Sequence, residues 1–420
     1  MKNSFSVKHV FFGWWVVVAC FFTGAFGTAV IGYGFTSFIQ PFAAEFGWSY
    51  AQISLGISLR WLEFGIASPL SGWFVDRWGS HKVVFFGSMI TCLGLLLLMQ
   101  TQSLGVFYAA FVLIGIGASS CALPVIMPTV TNWFRQHLGL ATGVAASGMG
   151  AAGLFLPVIT YIIEVSGWRS AVLVMLLCIV AVVLPLSFVL RHKPEHYGLL
   201  PDGKKAAERT EQKVIADEKL RQSDPGLKQA MHTRAFWQLA AAINCLLMVG
   251  SAVITHVMPF LASIGTDRYA SSFVASFLPL IGIIGRIGFG WLSDRLNRKL
   301  ITAVTLIMLS LSMICFWLAS IVGLWLILPF CLLFGIGYGG ALVLGSSLTS
   351  ELFGWRSFGI IYGLIMGFGV IGNATGAPLA GWTYDTWGTY QWFWFAMAGV
   401  AMIGAVIILT ISTPSAKTKH

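Results

Sequence analysis

Three charged side chains fall well inside long apolar runs of this chain: Arg60, Glu63 and Arg286. If those runs cross a bilayer, each charge costs about 2.5–3.5 kcal/mol even on a mild insertion scale, so each needs a partner or a wet cavity. Arg286 stands eight residues before Asp294, roughly 12 Å deep at about 1.5 Å per helical residue. Its neighbours Ile283, Ile284, Ile287 and Phe289, and Gly282 one turn back, offer no counter-ion. A guanidinium there suits a carboxylate, to which its planar fork donates two parallel hydrogen bonds. The plainer reading is a structural arginine bonded to carbonyls or to an acid of another helix. Arg60 and Glu63, three apart, share one helix face and read as a self-neutralising pair. The sharper reading makes Glu63 a proton acceptor, because a partly desolvated carboxylate takes up a proton more readily. His256 is the sole histidine inside an apolar run. It is either a proton switch or a satisfied hydrogen-bonding group, beside a helix-breaking Pro259 that frees carbonyls. Tyr33, Tyr338 and Asn373 can each donate to an anion or bridge helices. Arg60 and Arg286 against Glu63 leave one positive charge, which matches a monoanion.

The elements that must hold these groups follow from composition. Of 420 residues, 57% are apolar and 10% charged, with a mean hydropathy of +0.83. Soluble domains carry about 25% charged residues, so a soluble enzyme, a secreted disulfide scaffold and a nucleic-acid binder are excluded. Twelve spans are predicted, near 11–39, 50–75, 83–101, 105–130, 138–163, 169–190, 236–262, 271–292, 299–320, 323–350, 357–382 and 391–412. Their apolar character is continuous, without the alternation of barrel strands, so they are helices. With the N-terminus and every even-to-odd loop placed in the cytoplasm, that side holds 21 of the 25 basic residues, and only Arg169 and Arg268 lie opposite. The basic balance is thus a topology signal and requires no nucleic-acid partner. Trp14, Trp15, Trp48, Trp168, Trp355, Trp387 and Trp392 fall near span ends, where indoles favour the interface. Seven cysteines at wide spacing form no CxxC pair, so no disulfide framework or zinc site is indicated.

The hydrophilic stretch 191–235 divides the chain into six-helix bundles, 1–190 and 236–420, and reads as a solvated cytoplasmic tether. The halves repeat. GWFVDRWGSHK (72–82) matches GWLSDRLNRKL (290–300) at an offset of 218 residues, and GIGA (115–118) matches GIGY (335–338) at 220. TGVAASGMGAAG (142–153) is echoed by YGLIMGFGVIGNATG (362–376). A repeat of this kind sets a substrate path between the halves, opened by rocking one against the other. Its glycines permit close helix approach.

The twelve spans, the central loop and the paired G-x-x-x-D-R loops resemble the major facilitator superfamily. Gly13-Trp14-Trp15, Asn132-Trp133-Phe134-Arg135, PEHYGLLPDG (194–203), His256 with Pro259, and Arg286 are similar to the monocarboxylate transporter and oxalate/formate antiporter branch. The resemblance implies an all-α membrane fold and Arg286 as carboxylate ligand. It also implies a cytoplasmic gate at Asp76, Arg77, Asp294 and Arg295, each acid capping a helix of the opposite half. The chain departs from the branch in having no lysine in span 1, no acid at Gly282 and no Lys or Arg in 357–382. That leaves Glu63, with Arg60, and His256 for the proton. The expectation is a monomeric, cofactor-free, multi-pass carrier of a small monocarboxylate such as lactate or pyruvate, with a proton, in the cell membrane. Arg286, Tyr338, Tyr33 and His256 are its substrate candidates. The alternatives are organic-anion exchange without protons and a transport-dead sensor. Drug/proton efflux is weaker, since span 5 lacks a Gly-Pro element. A membrane enzyme is the weakest alternative, since the sequence shows no nucleophile–base set, metal cluster or phosphate loop.

Overall fold

Backbone amides in hydrocarbon have no water to bond, so a continuous apolar chain satisfies them within helices. The computed structural model describes residues 11–29, 38–48, 50–191, 193–197, 199–203, 226–266, 268–355 and 357–412. A helical segment stands at every predicted span. They are α1 (Phe12–Thr28), α2 (Tyr50–Trp78), α3 (Ser80–Met99), α4 (Leu104–Trp133), α5 (Leu138–Ser166), α6 (Trp168–Ser187), α7 (Arg234–Ser263), α8 (Arg268–Ser293), α9 (Arg298–Ala319), α10 (Leu324–Phe353), α11 (Phe358–Trp387) and α12 (Gln391–Thr410). All from α3 onward contain a stretch long and apolar enough to cross a membrane. α4 is interrupted at Ser120–Ala122, just before Pro124, whose missing N–H and fixed φ suit the first turn of a new helix. Gly79, Gly167, Gly354 and Gly388 turn the chain between helices at positive φ, a conformation without penalty only for glycine.

The internal repeat is kept in three dimensions. In the first half α1 packs on α5, α2 on α4 and α3 on α4; in the second, α7 packs on α11, α8 on α10 and α9 on α10. Two seams then join the halves, α2 against α11 and α5 against α8, related by the same pseudo-symmetry. Each half has an aromatic core. Phe42 meets Phe107 and Trp168 in the first, and Phe316 stacks on Phe330 at 3.9 Å beside Trp394 in the second.

Two of the tryptophans near span ends have partners in the protein. Trp168, near its predicted span end, is buried against the protein, and its indole N–H donates to Glu45 at 2.6 Å. Trp355 lies under the Arg135 guanidinium at 3.6 Å. Each indole finds a partner in the protein, a carboxylate for Trp168 and a guanidinium for Trp355, as suits an amphipathic ring. The stretch after α6 is no solvated tether at its start. The Trp133 indole donates to the Arg191 carbonyl at 2.8 Å, Arg191 lies 4.2 Å from the rings of both Phe12 and Tyr197, and Asp202 accepts the backbone amides of Arg135 and Gln136. Residues 204–225 lie outside the described residues.

Candidate functional site at the seams between the halves

The seams are built on glycine. A Cβ on Gly139 would overlap the Gly290 carbonyl, and one on Gly143 the Arg286 carbonyl; at the other seam, Gly72 meets the Gly359 carbonyl and Gly363 the Ser68 carbonyl. Backbones this close leave no space for solvent between them, so the two halves are in direct contact along both seams. α5 and α8 run antiparallel in contact from Gly139–Gly290 to Gly150–Pro279, about 16 Å of helix at 1.5 Å per residue.

Each seam ends in a carboxylate placed on a helix N-terminus of the opposite half. Asp294 accepts the Gly139 amide at 2.6 Å and the Leu140 amide at 3.0 Å. Asp76 accepts Gly359 at 3.3 Å and Ile360 at 3.0 Å. First-turn amides have no partner within their own helix, and a negative charge there is favoured by the helix dipole. Both carboxyls nevertheless hold their protons more tightly than usual. Burial raises Asp76 to about 6 against the opposing pull of the two amides and of Lys193. Burial raises Asp294 likewise, against its two amides, Arg298 and His137. The arginines that follow these acids turn onto exposed indoles of their own helices: Arg77 lies 5.4 Å from the Trp73 ring and Arg295 4.0 Å from Trp291. Their sequence position beside the acids is therefore not matched by a position in the seam.

Arg286 sits where α5 and α8 cross, 7% exposed. Its carbonyl faces Gly143, and its guanidinium folds back along α8 so that Nη1 lies over Gly282 and against Gly150 of the other half. Gly282 in turn meets Gly339 of α10, next to Tyr338. The Tyr338 ring stacks on Phe334 at 5.3 Å and occupies the space that the missing Cβ of Gly250 leaves on α7.

His256 belongs to a ladder inside the second half. Asn244 donates to the Phe368 carbonyl at 2.9 Å, Ser251 to the Asn373 carbonyl at 2.7 Å, and the His256 Nε2 lies 2.9 Å from the Ala377 carbonyl. Its Nδ1 is 3.2 Å from the Tyr390 hydroxyl. Both ring nitrogens thus tie α7 to α11 and to the residue preceding α12. Glu63 is half-buried on α2. Tyr33 and the Arg60 side chain lie outside the described residues.

Gly143 and Gly150 belong to a glycine-rich run of the sequence in which nothing marks the backbones that they meet. Arg135 with Trp355 bridges the halves. Arg298 lies 3.9 Å from Glu351 and donates to the Ser293 and Ser347 carbonyls beside Asp294. In the sequence Arg298 lies inside a repeated loop, Arg135 ends the Asn132–Arg135 motif, and Trp355 stands near a span end.

Known proteins agree with this architecture. Residues 17–368 match the Major Facilitator Superfamily. The chain is 26% identical to monocarboxylate transporter 12 of Xenopus laevis, over 95% of this chain and 88% of that one. It is 24% identical to the oxalate:formate antiporter of Oxalobacter formigenes, over 87% and 84%. A solved proton:xylose symporter of the superfamily superposes with a TM-score of 0.74 at 12% identity, covering 95% of this chain and 96% of that one. Paired six-helix bundles, repeated acid-capped seams and a family match over most of the chain have one reading: this is a multi-pass transport protein of the major facilitator superfamily.

Proposed function

We propose that the protein carries a small monocarboxylate of the lactate or pyruvate type, with a proton, by alternating access. The observation that carries this reading is a buried guanidinium at position 286 on the seam between the halves. A carboxylate matches it in charge and in fork geometry. The relatives named monocarboxylate transporter support the same class. Tyr338, beside the helix contact at Gly282, adds a phenolic donor, and Tyr33 of the first predicted span is a further candidate from the sequence. Glu63 on α2, three residues after Arg60, takes the proton, so that one anion and one proton cross together and the transport cycle moves no net charge. His256 serves the second half by holding α7 to α11, through oxygens that can accept from its ring in either protonation state. Asp76 and Asp294 act as latches that hold one end shut, and rocking of the bundles releases them. The basic end faces the cytoplasm of the cell membrane, and a single copy suffices.

The test is uptake of radiolabelled L-lactate into proteoliposomes under an inward proton gradient. Wild type concentrates the label, and Arg286→Ala loses most of the uptake. Undiminished uptake in that variant would remove Arg286 from the mechanism, and absence of lactate uptake by wild type would overturn the carboxylate reading. A second reading, anion exchange without protons, draws on the relative named oxalate:formate antiporter. It predicts uptake driven by internal anion and indifferent to the proton gradient.

A further inference from the structure

The two seams are nearly equivalent, and they differ at the anion site. The spacing that relates Asp76 to Asp294 and Gly72 to Gly290 also relates Ser68 to Arg286. Both of these residues turn their carbonyls onto a glycine of the opposite helix, Gly363 and Gly143 respectively. In one seam the position is held by a short side chain, as the Ser68 hydroxyl donates to the Gly363 carbonyl at 3.0 Å. In the other it carries a guanidinium, which must be housed. The spacing that relates Gly143 to Gly363 relates Gly150 to Val370. So the seam with the small residue has a valine in register, and the seam with the arginine has a glycine.

That glycine is where the guanidinium goes. A Cβ on Gly150 would stand 2.5 Å from Arg286 Nη1, 2.9 Å from Ile283 Cγ1 and 2.9 Å from the Pro279 carbonyl. The niche is closed on its other side by Gly282, where a Cβ would be 3.2 Å from the same nitrogen. One wall therefore comes from α5 of the first half and the other from α8 of the second. We infer that Gly150 is a positioning residue for Arg286: it sets the guanidinium across the seam, so that the carboxylate ligand is correctly aimed only while this seam is closed. When the halves part, Gly150 leaves, the guanidinium gains rotamer freedom, and its grip on a planar carboxylate weakens. Release of the anion is thereby tied to the rocking motion. This rests on Arg286 being the anion ligand.

The test measures L-lactate uptake kinetics for Gly150→Ala, Arg286→Lys, the double variant, Arg286→Ala and Gly153→Ala. Gly153 is the control, because a Cβ there meets only Pro279 Cγ at 3.6 Å. Gly150→Ala is expected to raise KM about tenfold, the size of one misdirected charge-assisted hydrogen bond, with a maximal rate close to wild type. In the Arg286→Lys background the same substitution changes KM little, because a single ammonium has no fork to displace. Non-additivity of this kind is the mark of residues that act together. A wild-type KM in Gly150→Ala, or an equal loss in both backgrounds, overturns the inference while leaving Arg286 as ligand. Wild-type uptake in Arg286→Ala removes Arg286 as the ligand and this inference with it.

Discussion

The Asp294 carboxylate accepts the Gly139 amide at 2.6 Å although 155 residues separate them. The bond joins a loop of the second half to the first turn of α5 in the first, so it exists only while the bundles are closed at this end. Asp76 repeats it on Gly359 and Ile360. Asp294→Ala leaves two first-turn amides in the seam without acceptors, at about 1–3 kcal/mol, and should shift the equilibrium towards the open form. Asp294→Asn keeps an acceptor and has no charge to desolvate, so it should remain mostly closed. Distances between spin labels at exposed positions Gln136 and Leu296, in a cysteine-replaced background, would separate the two.

Acidification should favour closure. Asp76 is raised to about 6 by burial in the closed form, and once exposed in the open form it returns to the ordinary value near 3.9. The closed form therefore holds more protons, and its share rises as pH falls through about 6, reaching its limit below about 4. Asp294 is shifted in the same direction. The same label pair followed from pH 8 to 4 should report this, with the response lost in Asp76→Asn/Asp294→Asn.

Glycines of the seam should be intolerant for reasons that leave each half folded. Gly143→Ala sets a methyl group into the Arg286 carbonyl, where a backbone atom cannot yield. Uptake should fall to background while the purified variant stays monodisperse. Gly105→Ala, with open space around its Cα, should transport as wild type.

The Arg135–Trp355 stack should contribute a smaller share of the closure. Cation–π contacts are worth about 0.5–2 kcal/mol, so Trp355→Leu should open the labelled end several-fold more often, and Trp355→Phe less. Asp202→Ala removes the acceptor for the Arg135 and Gln136 amides and should have an effect like that of Trp355→Leu by freeing Arg135. An Asp202→Ala variant with wild-type label distances would detach the segment 193–203 from the closing mechanism.

If His256 holds the α7–α11 ladder, His256→Gln should keep gradient-driven uptake with a lower melting temperature, since an amide still reaches the Ala377 carbonyl. Glu63→Gln should instead lose the response to the proton gradient while retaining exchange. The opposite pattern in the two variants would assign the proton to His256.

Sequence alone determined the helical class, the twelve spans and the two-half repeat, because the burden of satisfying backbone amides in hydrocarbon is written into composition and period. It pointed to Asp76 and Asp294 through the repeated loops, and to Arg286 through the cost of a charge at depth. It did not determine what those residues touch. That Asp294 meets Gly139, that Arg286 is seated by Gly150, that Arg77 and Arg295 turn onto their own tryptophans and that Trp355 lies beneath Arg135 depend on helices far apart in the chain being brought into register. A glycine in an apolar run has the same local signature whether it faces lipid or a partner backbone. Only the packing of one bundle against the other distinguishes them, and the tertiary structure decided it.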